Sequence, residues 1–144
     1  MINGINSREM ILEILLEIEE GEHSHVAIRN ALSKYQFLPK QDRAFITRVC
    51  EGTLEYRIQI DYIINSFSKV TVDKMKPAIR EILRSAVYQL KYMDSVPDSA
   101  VCNEAVKLAQ RKGFYNLKPF VNGVLRTIAR EMDQVRFPQK KMIC

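Results

Sequence analysis

Apolar residues recur at helical spacing along most of the 144-residue chain, and this spacing is the strongest constraint on its fold. In the clearest segment, six apolar residues fall within an arc of about 140° when successive residues are placed 100° apart. These residues are Ile79, Ile82, Leu83, Ala86, Val87 and Leu90. Apart from the β-branched run at residues 70–72, which is too short to found a sheet, no strand pattern interrupts the helical spacing. The chain is therefore predicted to form an all-α bundle of about six or seven helices.

Capping and turn residues predict where several of these helices begin and end. Asn6 with a glutamate three residues later predicts a capping box at the first helix, and Gly21 predicts its end. Ser24 is predicted to cap the second helix. The third block covers residues 40–67, and Gly52 is expected to kink or divide it.

The later helices have similar signals. Asp98 or Ser99 is predicted to cap a helix that ends at Gly113, and the last helix is predicted to follow Leu117. Beyond Glu131 the apolar period fades. We therefore expect one domain over residues 1–131 and a tail or linker over residues 132–144, where Pro138, Lys140 and Lys141 lie.

Length and composition fit one globular domain. The chain is 47% hydrophobic and 27% charged, and a domain of this size buries roughly 68–70% of the surface of its unfolded chain. No charge-free apolar run approaches the roughly 18 residues that a membrane span requires, so no membrane partner is expected.

The sequence offers few candidates for catalysis or metal binding. Cys50, Cys102 and Cys144 are widely spaced and lack a CxxC pair, so a reducing cytoplasm is expected, and Cys50 and Cys102 are interpreted as small buried hydrophobes. His23 and His25 are interpreted as residues of a solvated turn. The glycine-rich cofactor and phosphate loops are missing, so the chain is expected to hold no catalytic residue, metal or cofactor of its own.

Positive charge is concentrated in the second half of the chain. The net charge is +5, and residues 78–144 hold 12 basic and 6 acidic side chains. On the last helix, Lys118, Asn122, Arg126 and Arg130 fall within about 120° of one another. Such a face would attract a polyanion such as RNA, although simple surface display also accounts for it.

Two neighbouring features have both structural and functional interpretations. Arg80, Arg84 and Lys91 lie together beside the apolar arc of their helix and could extend the basic surface. Asn122 could contact a base or ribose, but Asn122 followed by Gly123 is interpreted first as a close contact between helices.

Two segments resemble the paired C-terminal helices of the NusB fold: VPDSAVCNEAVKLA at residues 96–109 and KPFVNGVLRTIAR at residues 118–130. DRAFITRVCEGTLEY at residues 42–56 is similar to the third helix of that family, and NSREMILEILLEI at residues 6–18 is similar to its opening helix. The resemblance implies a compact NusB-like helical bundle.

Within this superfamily, residues 28–70 resemble the N-terminal RNA-binding domain of the RsmB (Sun/Fmu) family. Those proteins are S-adenosylmethionine-dependent methyltransferases that act on carbon 5 of cytosine in small-subunit ribosomal RNA. The resemblance implies that this domain positions rRNA, and that S-adenosylmethionine binds a methyltransferase domain outside this chain. NusB antitermination factors usually open with an arginine-rich helix, whereas Arg8 is the only basic residue here before Arg29.

The predicted partners are ribosomal RNA, the methyltransferase domain of the same parent chain and a ribosomal protein. The predicted RNA-binding residues are Arg8, Lys40, Arg43, Arg111, Lys112, Lys118, Asn122, Arg126 and Arg130. Three alternatives stay open at this point: a free-standing NusB-type antitermination factor, an intramolecular protein-interaction module and, as the weakest, an independent enzyme.

Overall fold

A computed structural model describes residues 6–137 and confirms the all-α fold. Within this range the chain forms seven α-helices: α1 Ser7–Glu19, α2 Ser24–Lys34, α3 Lys40–Glu55, α4 Arg57–Phe67, α5 Pro77–Tyr92, α6 Asp98–Arg111 and α7 Lys118–Glu131. One-turn 3₁₀ helices cover Val72–Lys74, Tyr115–Leu117 and Met132–Gln134. None of the helices described in residues 6–137 is long and apolar enough to cross a membrane. The predicted tail lies outside the described residues from Pro138 onward.

The helix ends agree with the sequence signals at some positions and differ at others. Asn6 Oδ1 accepts a hydrogen bond from the backbone N–H three residues later at 2.8 Å, which confirms the predicted cap of α1. Gly21 and Gly113 follow α1 and α6 with φ angles of 116° and 88°, in the left-handed region that favours glycine. Ser24 and Asp98, predicted as caps, are instead the first residues of α2 and α6.

Helix α5 lies at the centre of the bundle and packs against α1, α3, α4, α6 and α7. All ten residues from 81 to 90 are buried, including the polar side chains Glu81, Arg84, Ser85 and Gln89. The interpretation of Arg80 and Arg84 as an extension of the basic surface is wrong. Carboxylates from α1 and α4 meet the polar side of α5 and pair with its arginines, so that side does not face solvent.

Helices α3 and α5 approach each other closely at Gly52. A Cβ atom at this position would lie 2.1 Å from two ring carbons of Tyr88, which is itself buried in α5. Gly52 therefore lies inside the continuous helix α3 as the point of contact, and the predicted division there is wrong. The block divides instead at Tyr56, between α3 and α4.

Candidate nucleic-acid interface

Helices α6 and α7 form an antiparallel hairpin with a polar seam. Arg126 Nη2 donates to Asn103 Oδ1 at 2.8 Å, and Lys118 Nζ donates to Gln110 Oε1 at 2.6 Å. The residue numbers fall along one helix as they rise along the other, so the two helices run in opposite directions. The apolar face of α7 packs inward through Val121, Val124, Leu125 and Ile128.

The outer side of this hairpin carries the α6–α7 basic surface, which we define as Lys107, Arg111, Lys118, Arg126 and Arg130. Between Glu104 and Glu131 the sequence has six basic residues and no acidic one. Asn122 Oδ1 accepts a second bond from Arg126, from Nε at 3.1 Å. Neutral amides therefore hold Arg126 and Lys118, and these contacts leave their positive charge uncompensated.

The other cations of the surface are more loosely held. Arg111 is exposed at the last residue of α6. Lys107 Nζ lies 3.6 Å from Glu104 Oε2, with the lysine side chain 62% exposed. Arg130 lies 3.0 Å from the carboxylate of the adjacent Glu131, with its own side chain 65% exposed. Ion pairs this exposed contribute little and exchange readily with other partners.

Sequence reasoning missed Lys107, Asn103 and Gln110 as members of this region. Their spacing of four and three residues places them on one side of α6, facing the polar side of α7. A helical projection of residues 98–111 made together with that of residues 118–131 would have shown the second half of the seam.

Gly123 faces open space, and a Cβ atom here would have no neighbour within 4 Å. The interpretation of the Asn122–Gly123 pair as a close contact between helices is therefore wrong. Gly123 shares the outer face of α7 with Arg126 and Arg130, which follow it by three and seven residues. The missing side chain leaves this part of α7 exposed beside the cations.

Two further predicted residues lie near α6 and already have partners within the protein, in one partly buried contact and one contact at the surface. Arg8 Nε donates to Gln89 Oε1 at 3.2 Å, and its guanidinium lies 5.2 Å from the ring centroid of Phe45. Burial lowers the pKa of Arg8, and the charge of Glu104 partly offsets this effect. Lys112 forms an ion pair with Glu13 and so ties the end of α6 to α1.

The structure does not bring Lys40 and Arg43 to the hairpin. Both lie on α3, which packs mainly on α1, α2, α4 and α5. Lys40 is exposed at the first residue of the helix. Arg43 Nη1 donates to the carbonyl oxygens of Leu32 and Tyr35 at 2.9 and 3.1 Å and so closes the C-terminal end of α2. This bonding gives Arg43 a role in the fold.

Arg80 and Arg84 belong to a cluster that we call the buried charge cluster after its two buried members, Glu81 and Arg84; it also includes the half-buried residues Glu19, Asp61 and Arg80. Arg84 lies 2.8 Å from Asp61 and 2.7 Å from Glu81, and Arg80 pairs with Glu19. These guanidinium groups join α1, α4 and α5 and are not available to a ligand. Lys91, the third basic residue predicted beside them, lies over the rings of Tyr92 and Phe137.

This cluster predicts an unusual pH dependence of stability. Burial, with a contribution from Glu19, raises the pKa of Glu81 from an ordinary value of 4.5 to about 8. The folded state therefore holds a proton that the unfolded state has released, and the free energy of unfolding should fall as pH rises from 4.5 to 8. The expected slope is about 1 kcal/mol per pH unit.

Urea unfolding of the wild type and of Glu81→Gln at pH 5, 6.5 and 8 measures this slope. Glutamine mimics the protonated carboxyl, so the variant should lose most of the decline, whereas Glu17→Gln, at an exposed position of α1, should keep it. Equal slopes in all three proteins would refute the assignment to Glu81.

The remaining candidates have structural explanations. Cys50 and Cys102 are buried, as predicted, and burial raises the pKa of both thiols. His23 and His25 are exposed, with ring centroids 6.0 Å apart. Within residues 6–137 no group of three or more His, Cys, Asp or Glu residues is arranged to hold a metal ion. The fold and surface together define an all-helical domain with a basic hairpin face.

The NusB family model matches residues 5–130, and this chain belongs to the NusB family. It is 32% identical over 139 residues to the probable ribosomal RNA small subunit methyltransferase B of Bacillus subtilis (strain 168), a match that covers 94% of this chain. It is 33% identical over 130 residues to the transcription antitermination protein NusB of Dictyoglomus thermophilum, which covers 90% of this chain and 85% of that protein.

Among solved structures, the fold matches a complex of the antitermination factors NusB and NusE with double-stranded RNA. The TM-score is 0.78 at 21% identity, over 86% of this chain and 93% of the matched chain. The chain spans 31% of the length of the Bacillus subtilis methyltransferase and 29% of a second methyltransferase B, from Synechocystis. The methyltransferase relatives are therefore about three times longer than the matched region.

Proposed function

We propose that this chain is the RNA-binding domain of an RsmB-type rRNA methyltransferase and that its α6–α7 basic surface binds small-subunit ribosomal RNA. In this proposal residues 1–131 are the RNA-binding domain, Met132 and Val135 continue its core contacts beyond α7, and methyl transfer belongs to a separate methyltransferase domain of the parent protein. The proposed role is to position RNA for methyl transfer to carbon 5 of cytosine. S-adenosylmethionine belongs to that catalytic domain, and we propose no cofactor site in this chain.

The observation that carries the proposal is that amide oxygens, and not carboxylates, hold two cations of the hairpin. Arg126 and Lys118 are held by amide oxygens, in a stretch of 26 residues without a carboxylate. Lys107 and Arg130 lie beside Glu104 and Glu131 in exposed ion pairs, whereas the positive charges of Lys118 and Arg126 are not neutralised by the groups that hold them. Guanidinium groups donate paired hydrogen bonds to phosphate oxygens, so Arg111, Arg126 and Arg130 suit an RNA backbone.

The other predicted contacts take secondary places in the proposal. Arg8 would need to exchange its partly buried hydrogen bond to Gln89 for one to a phosphate, and Lys112 would need to exchange the exposed carboxylate of Glu13. Lys40 is exposed but lies on α3, away from the hairpin. We propose these three residues as outlying contacts and Arg43 as a support for the α2–α3 corner.

RNA binding at this surface should depend strongly on salt and on Arg126. If about five phosphates are contacted, the logarithm of affinity should fall with the logarithm of salt concentration at a slope of roughly −3.5 to −4.5. Arg126→Glu should lower affinity about tenfold or more and make the slope shallower, because it removes one contact and repels the backbone. Fluorescence anisotropy with a labelled rRNA fragment measures the affinity and its salt dependence. The useful range of salt concentration is about 50 to 200 mM.

Lys69→Glu is a suitable control, because it makes the same change in net charge at an exposed residue that follows α4. It should weaken binding only slightly, through the general field of the protein. Thermal unfolding should show that Arg126→Glu remains folded. Salt-insensitive binding, or equal losses in the two variants, would refute the proposed surface.

The RsmB assignment is favoured over an antitermination factor by two observations. The match to the Bacillus subtilis methyltransferase covers 94% of this chain. Helix α1 has Arg8 as its one basic residue against four glutamates, which is a poor surface for RNA. The match to the Dictyoglomus thermophilum NusB protein, which extends over 85% of that protein, supports antitermination as the second candidate.

A competition experiment separates these functions. Labelled small-subunit rRNA fragments and boxA RNA are titrated with the domain, with and without the ribosomal protein NusE. The proposed function predicts tighter binding of the rRNA fragment and no gain from NusE. Cooperative binding of NusE and boxA would favour the antitermination factor, and the absence of RNA binding at moderate salt would favour an intramolecular interaction module.

A further inference from the structure

Tyr115 is the most exposed aromatic side chain in residues 6–137, at 63%. It lies in the connection between α6 and α7, in the short 3₁₀ helix that precedes Lys118. Phe114, which precedes this helix, and Leu117, its last residue, both pack against the core and so fix its position. Neither the charge pattern nor the family resemblance singled out this tyrosine.

The backbone around Tyr115 is well defined by hydrogen bonds. The Phe114 N–H donates to the carbonyl of Ala109 at 2.9 Å, and the Leu117 N–H donates to the carbonyl of Phe114 at 2.9 Å. Gly113 makes the turn out of α6 with a φ of 88°. The ring is therefore presented to solvent by an anchored loop. An exposed ring on such a loop suits a ligand with a flat apolar face.

The surroundings of the ring are cationic. Lys118 Nζ lies over one face of the Tyr115 ring, 4.5 Å from its centroid, while its ammonium group also bonds to Gln110, so a base would stack on the opposite face. Arg111 is exposed at the end of the preceding helix. A flat ring beside uncompensated cations matches the two parts of an unpaired nucleotide, because the base stacks on the ring and the phosphate meets the cations.

We propose that Tyr115 is a stacking platform for a base of an unpaired nucleotide, an inference that rests on the proposed RNA binding at the α6–α7 basic surface. A duplex cannot use this platform, because its bases are already stacked on each other and its deep groove is too narrow for side chains. Tyr115 thereby makes the surface prefer single-stranded loops, bulges or ends over continuous helices.

The chain contains no tryptophan, so Tyr115→Trp introduces a unique fluorophore at the proposed platform. Three ligands of equal length are titrated: an unpaired oligoribonucleotide, the same strand with abasic sites, and a duplex. The tryptophan emission should be quenched by the unpaired strand and not by the abasic strand, which carries the same phosphates without bases. Equal quenching by both strands would overturn the proposal.

Affinity measurements with Tyr115→Ala complete the test. We expect the unpaired strand to lose about five- to tenfold in affinity, with the abasic strand and duplex unchanged and with Tyr115→Phe close to wild type. Phe37→Ala is the control, because this 53% exposed ring lies outside the hairpin, between α2 and α3. If the wild-type protein binds RNA and Tyr115→Ala binds each of the three ligands with wild-type affinity, only the platform is refuted. If wild-type protein binds none of them, the proposed function fails too.

Discussion

Replacing Arg84 with methionine should lower the free energy of unfolding by about 3–5 kcal/mol. The side chain of Arg84 is only 10% exposed and is the cation shared by the buried charge cluster. Its Nε and Nη2 form a paired contact with Asp61 at 2.8 and 2.9 Å, and Nη1 donates to Glu81 at 2.7 Å. Methionine keeps the length of the side chain but leaves these carboxylates without their cation.

Urea unfolding at pH 8, where the carboxylates are most fully charged, measures this loss. The loss should be smaller at pH 5, because protonation of the carboxyl groups relieves the uncompensated charge. Lys107→Met is the matched control, since its ion pair with Glu104 is exposed and should contribute less than about 1 kcal/mol. Similar losses in the two variants would show that the buried cluster contributes no more than a surface pair.

Gly52→Ala should also destabilise the protein strongly, by about 2 kcal/mol or more. The added Cβ would overlap the Tyr88 ring, at 2.1 Å from two of its carbons, so the α3–α5 contact must open or the ring must move. The ring has little room to move, because Tyr88 is 6% exposed and its ring centroid lies 5.3 Å from that of Tyr92. The intrinsic preference of helices for alanine over glycine, about 1 kcal/mol, acts in the opposite direction and is overcome.

Gly123→Ala provides a matched control at a helical glycine with open surroundings. The same substitution should there raise the free energy of unfolding by about 0.5–1 kcal/mol. Adding Tyr88→Leu to Gly52→Ala should recover part of the loss, because the smaller side chain removes the overlap. A stabilising effect of Gly52→Ala, as at Gly123, would show that the two helices are not in close contact.

The two glycines also show how far the sequence could predict the fold. Helical spacing was sufficient for the all-α class, and Asn6 and Gly21 correctly marked the ends of α1. A glycine inside a helix, however, signals either a break or a close neighbour. The sequence suggested a break at Gly52 and a close neighbour at Gly123, and the structure shows a contact at the first and open space at the second.

The basic residues of α5 could not be assigned from the sequence for a related reason. Arg84 pairs with Asp61 and Arg80 pairs with Glu19, which precede them by 23 and 61 residues, and only the pair of Arg84 with Glu81 follows a local helical spacing. In contrast, the cationic face of α7 follows from helical periodicity within one segment. Its amide partner Asn103 comes from another helix and became visible only with the register of the hairpin.

The amides that hold Lys118 and Arg126 affect how fast a ligand is captured. A side chain already fixed in one rotamer loses little conformational entropy when a phosphate replaces its partner. An amide left behind is rehydrated by solvent, whereas an abandoned carboxylate would repel the incoming anion. We therefore expect RNA binding at the proposed surface to be limited by diffusion in an attractive electrostatic field, with no slow rearrangement of the protein.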